Sequence, residues 1–452
     1  MSFSRRLHCL VILVGLFPVF GIVLAVSAAD RWPEWRGATG QGHSTATGLP
    51  VRWSESEHVA WKSKLPGLGW STPVVENGIV WVTTAVDRPS SKEDAKRRRK
   101  ASTNSQPLTI SEFVSLRAVG VDLKTGIVRY DIEVLNEVDP QMIHLENSYA
   151  TPTPIIDNGR LYCHFGPAGS ACLDVATETV LWSNRTLRVK HENGPGSSPV
   201  LWNDLLIIHC DGIDQQYIVA LDTRTGDIAW KTERAGELKE NPQQRKAYAT
   251  PLVTDVNGSP QVISPAADWL YGYHPQSGKE LWRVNYGQLG FSNAARPVVG
   301  HGLIYTCTGF MKSELLAVRV DGRGDTPQAQ VVWRFKKQVP NVASPLLVGD
   351  ELYFASDKGV ATCINAKTGE LHWAERIGSR FWASPIYADG RIYFFDRDAT
   401  TTVVAPATKF HQLAVNKLEG TMLAGAAVVD GAIILRTDQA LYRINQDVDG
   451  SE

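Results

Sequence analysis

The chain has 452 residues, 46 Lys and Arg against 47 Asp and Glu, and a hydrophobic fraction of 43%. A formal net charge of −1 excludes the broad basic field that holds nucleic acid, and the apolar content excludes a disordered chain. The length alone suggests two or three domains, but a closed repeat passes the usual size limit because each unit builds its own local core.

Arg5, Arg6 and His8 precede an apolar stretch from Leu10 to Val26, and Ser27, Ala28 and Ala29 stand ahead of Asp30. This is the layout of a secretory signal peptide over 1–29; the competing reading is an uncleaved membrane anchor, because the stretch is near the shortest spanning length. Ser4-Arg5-Arg6 also fits a weak twin-arginine signal, so export by that route or by Sec leads to the periplasm or cell envelope. Cys9 lies before the apolar stretch, which argues against a lipid anchor on a processed cysteine. The sequence shows no second spanning segment, so signal removal leaves no transmembrane domain. Residues 30–57 form an entry segment in which Trp32, Trp35 and Arg36 anchor the chain, with Arg36 stacked or paired, or else meet a partner.

The body, 58–446, repeats one unit. Its entry is Ser71-Thr72-Pro73, Thr153-Pro154, Ser198-Pro199, Thr250-Pro251, Ser344-Pro345 or Ser384-Pro385, with Arg296-Pro297 as a variant. Two apolar runs follow around a tight turn such as Asn77-Gly78, Asn158-Gly159, Asn257-Gly258 or Asp389-Gly390, then an Asp-x-x-Thr-Gly turn and an aromatic residue. Repeats of roughly 40–50 residues with several strands each mark radial sheet repetition. They predict an all-β, eight-bladed β-propeller of four-stranded antiparallel blades. Asp122, Asp222 and Asn365 hold the turn before the outermost strand, and Tyr130, Trp182, Trp230, Trp282, Trp333 and Trp373 fill the wedges between blades.

The last unit ends after Leu441-Tyr442-Arg443-Ile444 without a docking aromatic, while Val59-Ala60-Trp61-Lys62 is an orphan copy of an outer strand. Pairing the two closes the ring, with Trp61 docked beside the C-terminal blade and no open edge left. Residues 447–452 are a tail.

Between strands of the first blade, 87–109 is a polar insertion containing Ser90-Ser91-Lys92-Glu93-Asp94 and Arg97-Arg98-Arg99-Lys100. Without periodic apolar residues it is expected to be a mobile solvated loop, or else a basic dock for an anionic partner. Cys163 and Cys172 flank Gly166-Pro167-Ala168-Gly169, and two readings stand: a disulfide across a hairpin, or two small apolar strand residues. No Cys or His spacing implies a metal site, and Asp211-Gly212-Ile213-Asp214 reads as a turn, lacking the long carboxylate pattern of a calcium loop.

Candidate ligand-binding residues lie in the loops that lead into the innermost strands and converge on the channel mouth. They are His144, Glu146, Asn147 and Tyr149; His191, Glu192 and Asn193; Tyr248; and Phe381 with Trp382. Amides, a carboxylate and imidazoles rimmed by aromatics suit a protein, peptide or small polar ligand. The alternative is that these groups bond neighbouring blades and plug the channel. Glu146 and Glu192 are also candidates for an acid/base pair.

The unit Ala-x-Asp-x-x-Thr-Gly-x-x-x-Trp resembles the tryptophan-docking blade of the pyrroloquinoline-quinone (PQQ)-like propeller superfamily, which holds quinoprotein alcohol dehydrogenases and the propeller lipoprotein of the outer-membrane-protein assembly machine. Trp32-Pro33-Glu34-Trp35-Arg36-Gly37, Asn147-Ser148-Tyr149-Ala150-Thr151-Pro152-Thr153-Pro154, Glu192-Asn193-Gly194-Pro195-Gly196-Ser197-Ser198-Pro199 and Ile392-Tyr393-Phe394-Phe395 are similar to exported PQQ-like propeller proteins of planctomycete-type bacteria. The dehydrogenase branch implies adjacent cysteines, a tryptophan floor and a metal-holding acid/amide set. Here no two cysteines are adjacent and there is no Cys-x-x-Cys-His. The expectation is therefore an exported, non-catalytic scaffold without cofactor, a monomer or part of an envelope complex. The alternative is a PQQ-dependent alcohol or sugar dehydrogenase using PQQ with calcium.

Overall fold

The computed structural model describes residues 31–287, 290–322 and 327–446. The signal peptide over 1–29 and the tail over 447–452 lie outside them. Eight four-stranded antiparallel sheets follow one another around a ring. Blades 1 to 7 run over Val74–Val138, Ile155–Asn184, Val200–Glu233, Leu252–Asn285, Val298–Phe335, Leu346–Arg376 and Ile386–Lys417. Blade 8 takes three strands from Ala427–Asn445 and its outer strand from β1, Val59–Ser63. The register Trp61↔Arg443 and Lys62↔Tyr442 puts the latch where the sequence predicts it.

Each sheet is apolar on both faces because it packs between two others, and the core is a series of inter-blade clusters. The hairpin turns take positive φ at both central residues, as at Asn77 (51°) and Gly78 (75°), the twist that paired strands require. In the turn before the outer strand, Asp122 Oδ1 accepts from the main-chain N–H groups of Lys124 and Thr125. The glycine that follows is where the preceding blade docks. Trp182 Nε1 donates to Thr223 O (2.9 Å), Trp230 to Pro275 O (3.0 Å), Trp333 to Ala366 O (3.1 Å) and Trp373 to Ala407 O (3.0 Å). A Cβ on Gly226 would lie 2.5 Å from the Trp182 ring, so this position needs glycine for the indole as well as for its φ of 76°. Two aromatics depart from the pattern. Tyr130 stacks on Trp81 of its own blade (5.1 Å), and Trp282 donates to Gln261 Oε1 of its own blade (2.7 Å).

The Ser/Thr-Pro entries have a shared task. A proline cannot donate, and the hydroxyl before it takes the N–H of the matching residue one blade earlier. Thr72 N bonds Thr153 Oγ1, Thr153 N bonds Ser198 Oγ and Ser198 N bonds Thr250 Oγ1, all at 2.9 Å. Beyond the Arg296 variant, Arg296 N bonds Ser344 Oγ and Ser344 N bonds Ser384 Oγ, again at 2.9 Å. Gly425 N to Thr72 Oγ1 (3.1 Å) carries this inner belt across the closure.

The entry segment crosses the face opposite the converging loops. Trp32 pairs with Val75 of blade 1, Ser44 N reaches Tyr387 O of blade 7 and Trp53 N reaches Asn416 Oδ1, so the chain spans the disc before it joins blade 8 as β1. Trp32 is buried as expected. Arg36, expected to stack or pair, instead donates to the carbonyls of Gln41 (2.9 Å) and Pro345 (2.8 Å), and burial lowers its pKa to about 9.

One expectation is corrected, and one left open between two readings is decided. The insertion is ordered: Asp87–Pro89 extend a strand, Lys92–Ala101 form a helix, α1, and Leu108–Thr109 pair with Ile143–His144. Ser91 caps α1, with Glu93 and Asp94 in its first turn and Arg98, Arg99 and Lys100 in its last, which suits the helix dipole. Arg98 fastens it to Ser111 O (2.8 Å) and Pro140 O (2.5 Å). Order here comes from caps and charged hydrogen bonds, which leave no apolar period to read. Cys163 and Cys172 are both free and buried. Cys163 faces Ala171 and Cys172 faces Tyr162, so the thiols fall on opposite faces of the sheet, in different clusters. The apolar reading holds.

Candidate functional site

The channel holds a cavity of about 590 Å3 to which all eight blades contribute. Trp35, carried by the entry segment, lines one end. It is held there by Arg296, whose guanidinium donates to Trp35 O (2.7 Å) and Pro251 O (3.0 Å) and pairs with Glu34 (3.3 Å). Arg296 thus replaces a belt hydroxyl with a clamp on the plug, and burial still raises the Glu34 pKa despite that neighbour.

The cavity wall follows a simple rule. The residue three before each entry proline points inward: Trp70, Thr151, Gly196, Tyr248, Ala294, Val342 and Trp382, with Leu423 at the matching place in blade 8. Aromatics occupy this position in blades 1, 4 and 7.

Of the sequence candidates, the cavity brings together His144, Glu146, Asn147, Asn193, Tyr248 and Trp382. Asn147 also ties loops together, donating to Asn193 O (2.7 Å) and Pro195 O (3.1 Å). Tyr248 donates to His191 O (2.7 Å), and burial raises its pKa. Lining the cavity and bonding between blade loops therefore fall on the same residues.

The other four lie behind the wall. Tyr149 packs in the cluster between blades 1 and 2. His191 is buried against Tyr248 (5.6 Å), and burial, then His209, lowers its pKa to about 4. Glu192 bonds Gln243 and lies 4.0 Å from Lys246. Phe381 packs edge-on to Phe394 (6.3 Å). The acid/base pairing is unsupported: Glu146 lines the cavity and pairs with Arg380 (3.5 Å) and Arg397, while Glu192 serves the Gln243 and Lys246 side. Asp211 and Asp214 form no ion loop either. Asp211 binds Arg234 (3.1 Å) and His209 (3.0 Å) in a buried network, and Asp214 accepts from Lys190 N (2.8 Å).

The sequence reading missed Asn104, Trp35, Phe291, Phe310, Arg380 and the Trp70 position. The spacing to the entry proline would have found Trp70. Asn104 had no signal, because it reaches the wall through α1, donating to Glu192 O and Asn193 Oδ1 (both 3.0 Å).

Docked aromatics, a closing latch and an axial cavity define a PQQ-like repeat propeller. The family described as outer membrane protein assembly factor BamB matches residues 43–232 and 266–439, and the chain belongs to this family. Curated BamB proteins of Shewanella oneidensis and Yersinia pestis are 22% and 23% identical over 51% and 53% of this chain. The match spans about three fifths of their length, 58% and 61%. The crystal structure of BamB from Moraxella catarrhalis superposes with a TM-score of 0.51 at 13% identity, covering 80% of this chain and 98% of that one, a likeness of fold.

Proposed function

We propose that the protein is an exported, non-catalytic binding scaffold of the cell envelope that takes its ligand in the axial cavity. The observation that carries this reading is the cavity itself: Trp35 of the entry segment lines one end, and the wall includes amides, hydroxyls and aromatic faces. A concave, largely apolar recess with a few placed polar groups is what ligand recognition uses. Membership in a family described as an outer membrane assembly factor favours the envelope as its place of work.

The dehydrogenase reading asks for groups that the wall does not offer. The carboxylate lining the cavity, Glu146, is engaged by two arginines, and the five described cysteines lie inside sheets. This donor set does not fit PQQ with calcium.

The test is retention of envelope material on immobilised protein, with Ala294→Trp and Leu423→Trp as cavity-filling variants. Wild type is expected to retain a component that both variants release; equal retention by all three would overturn the reading. PQQ with calcium, added in parallel, is expected to leave no bound chromophore.

A further inference from the structure

The geometry points to a carboxylate-bearing sugar, a uronate, as the ligand of this cavity, with Arg380 and Arg397 receiving its carboxylate and Glu146 holding that place in its absence. The inference rests on the cavity being the binding site.

Three observations converge. First, the two arginines are a built pair. Arg397 N donates to Arg380 O (2.8 Å), so the backbones are locked together, and both guanidiniums lie over the Trp382 ring, at 4.4 Å and 6.0 Å. Trp382 is itself fixed by Nε1 donating to Asp357 Oδ1 (2.8 Å). A planar donor pair stacked on an indole suits a carboxylate.

Second, a carboxylate already sits there. Glu146 comes from the loop between blades 1 and 2, and reaches Arg380 and Arg397 beside blade 7. Its side chain is 25% exposed and those of the arginines 38% and 31%, so the contact lies at the wet mouth, where one anion can exchange for another.

Third, the rest of the wall suits a polyol. Thr72, Thr153 and Ser198 line the cavity, and each oxygen accepts a main-chain N–H in the inner belt, which leaves its hydrogen to give to a ligand oxygen. Trp70 and Tyr248 offer flat apolar faces to the C–H face of a ring.

The experiment titrates the mature protein with trigalacturonate, galactotriose and triglutamate, following tryptophan fluorescence and heat. Trigalacturonate is expected to bind at least about tenfold more tightly than galactotriose, as a charge-assisted bidentate contact implies. Arg380→Ala and Arg397→Ala should each remove most of that difference, while Glu146→Gln should tighten trigalacturonate several-fold by removing the competitor. Glu146 is a part-buried loop residue outside the inter-blade clusters, and an unchanged melting curve establishes that Glu146→Gln folds. Equal binding of the two sugars, no gain from Glu146→Gln, or tighter binding of triglutamate would each overturn the assignment. If the two sugars bind equally and Ala294→Trp abolishes both, the cavity reading survives while carboxylate capture falls.

Discussion

The indole nitrogen of Trp61 donates to the main-chain carbonyl of Leu123 at 2.9 Å, joining the strand that completes blade 8 to the turn of blade 1. The same ring covers Gly126, where a Cβ would meet it at 2.7 Å and where φ is 72°. One contact therefore serves both as docking wedge and as ring closure.

Trp61→Ala is expected to lower stability by about 3–5 kcal/mol, the usual cost of truncating a large buried aromatic. Gly126→Ala should cost on the order of 1–3 kcal/mol through its left-handed backbone and the clash with the ring. Because both act on one contact, the double variant should be less destabilised than the sum. Urea midpoints of the four proteins check this; strict additivity would separate the two residues.

Arg296 carries a different kind of closure. Arg296→Ser restores the hydroxyl found at other blade entries but releases Trp35 O and leaves the part-buried Glu34 without its cation. The loss is expected to be about 3–5 kcal/mol, as for breaking a buried pair, and Glu34→Gln in the same chain should recover part of it. Limited proteolysis within 31–58 would report release of the plug.

These cases also mark what could be read from sequence. Blade number, latch and docking tryptophans were legible because each is set by local periodicity and a turn motif repeated many times. Trp282 fills the wedge before blade 5 as the repeat predicts, packing with Ile304, Leu316 and Val318, and only its indole hydrogen bond, to Gln261 of its own blade, departs from the pattern. The mouth loops were found as a group, but which side chains face the cavity depends on the three-residue offset from proline. That is why Phe381 fell behind the wall while Trp382 lines it. Arg380 and Arg397 come together through tertiary contact, which no local pattern announces.

Acid should unfold the protein through its buried histidines. Burial, then a neighbouring histidine, pushes His164 down to about 3 and His191 down to about 4, while the unfolded chain titrates near 6.5. Between about pH 6.5 and the folded values the unfolded state binds more protons, so the histidines' contribution to stability falls as pH falls and levels off below about 3. Urea midpoints measured from pH 7 to 4 should decline, and His164→Gln should reduce the slope; an unchanged slope would remove His164 from the account.

The thiols give a sharper test of the strand register. Burial raises the Cys163 pKa and pushes Cys172 up to about 12, so neither is a thiolate near neutrality. A thiol reagent is expected to label both only after unfolding, and reductant should leave the melting temperature unchanged. A shift on reduction would mean a disulfide, and therefore a register different from Cys163 opposite Ala171.

The insertion is the part of the wall most separable from the ring. Asn104 is buried and joins α1 to the loop of Glu192 and Asn193 through two hydrogen bonds at 3.0 Å, and its own Oδ1 accepts from Gln106 N (3.0 Å). Helix α1 itself buries no residue, so it adds little to the core. Asn104→Ala should therefore cost only about 1–2 kcal/mol locally, from unsatisfied polar groups, and leave the inter-blade clusters intact. Amide exchange should speed up at 103–106 and 191–193 while the blade strands keep their protection. Faster exchange throughout the blades would instead make the insertion part of the propeller's stability and not a wall added at its mouth.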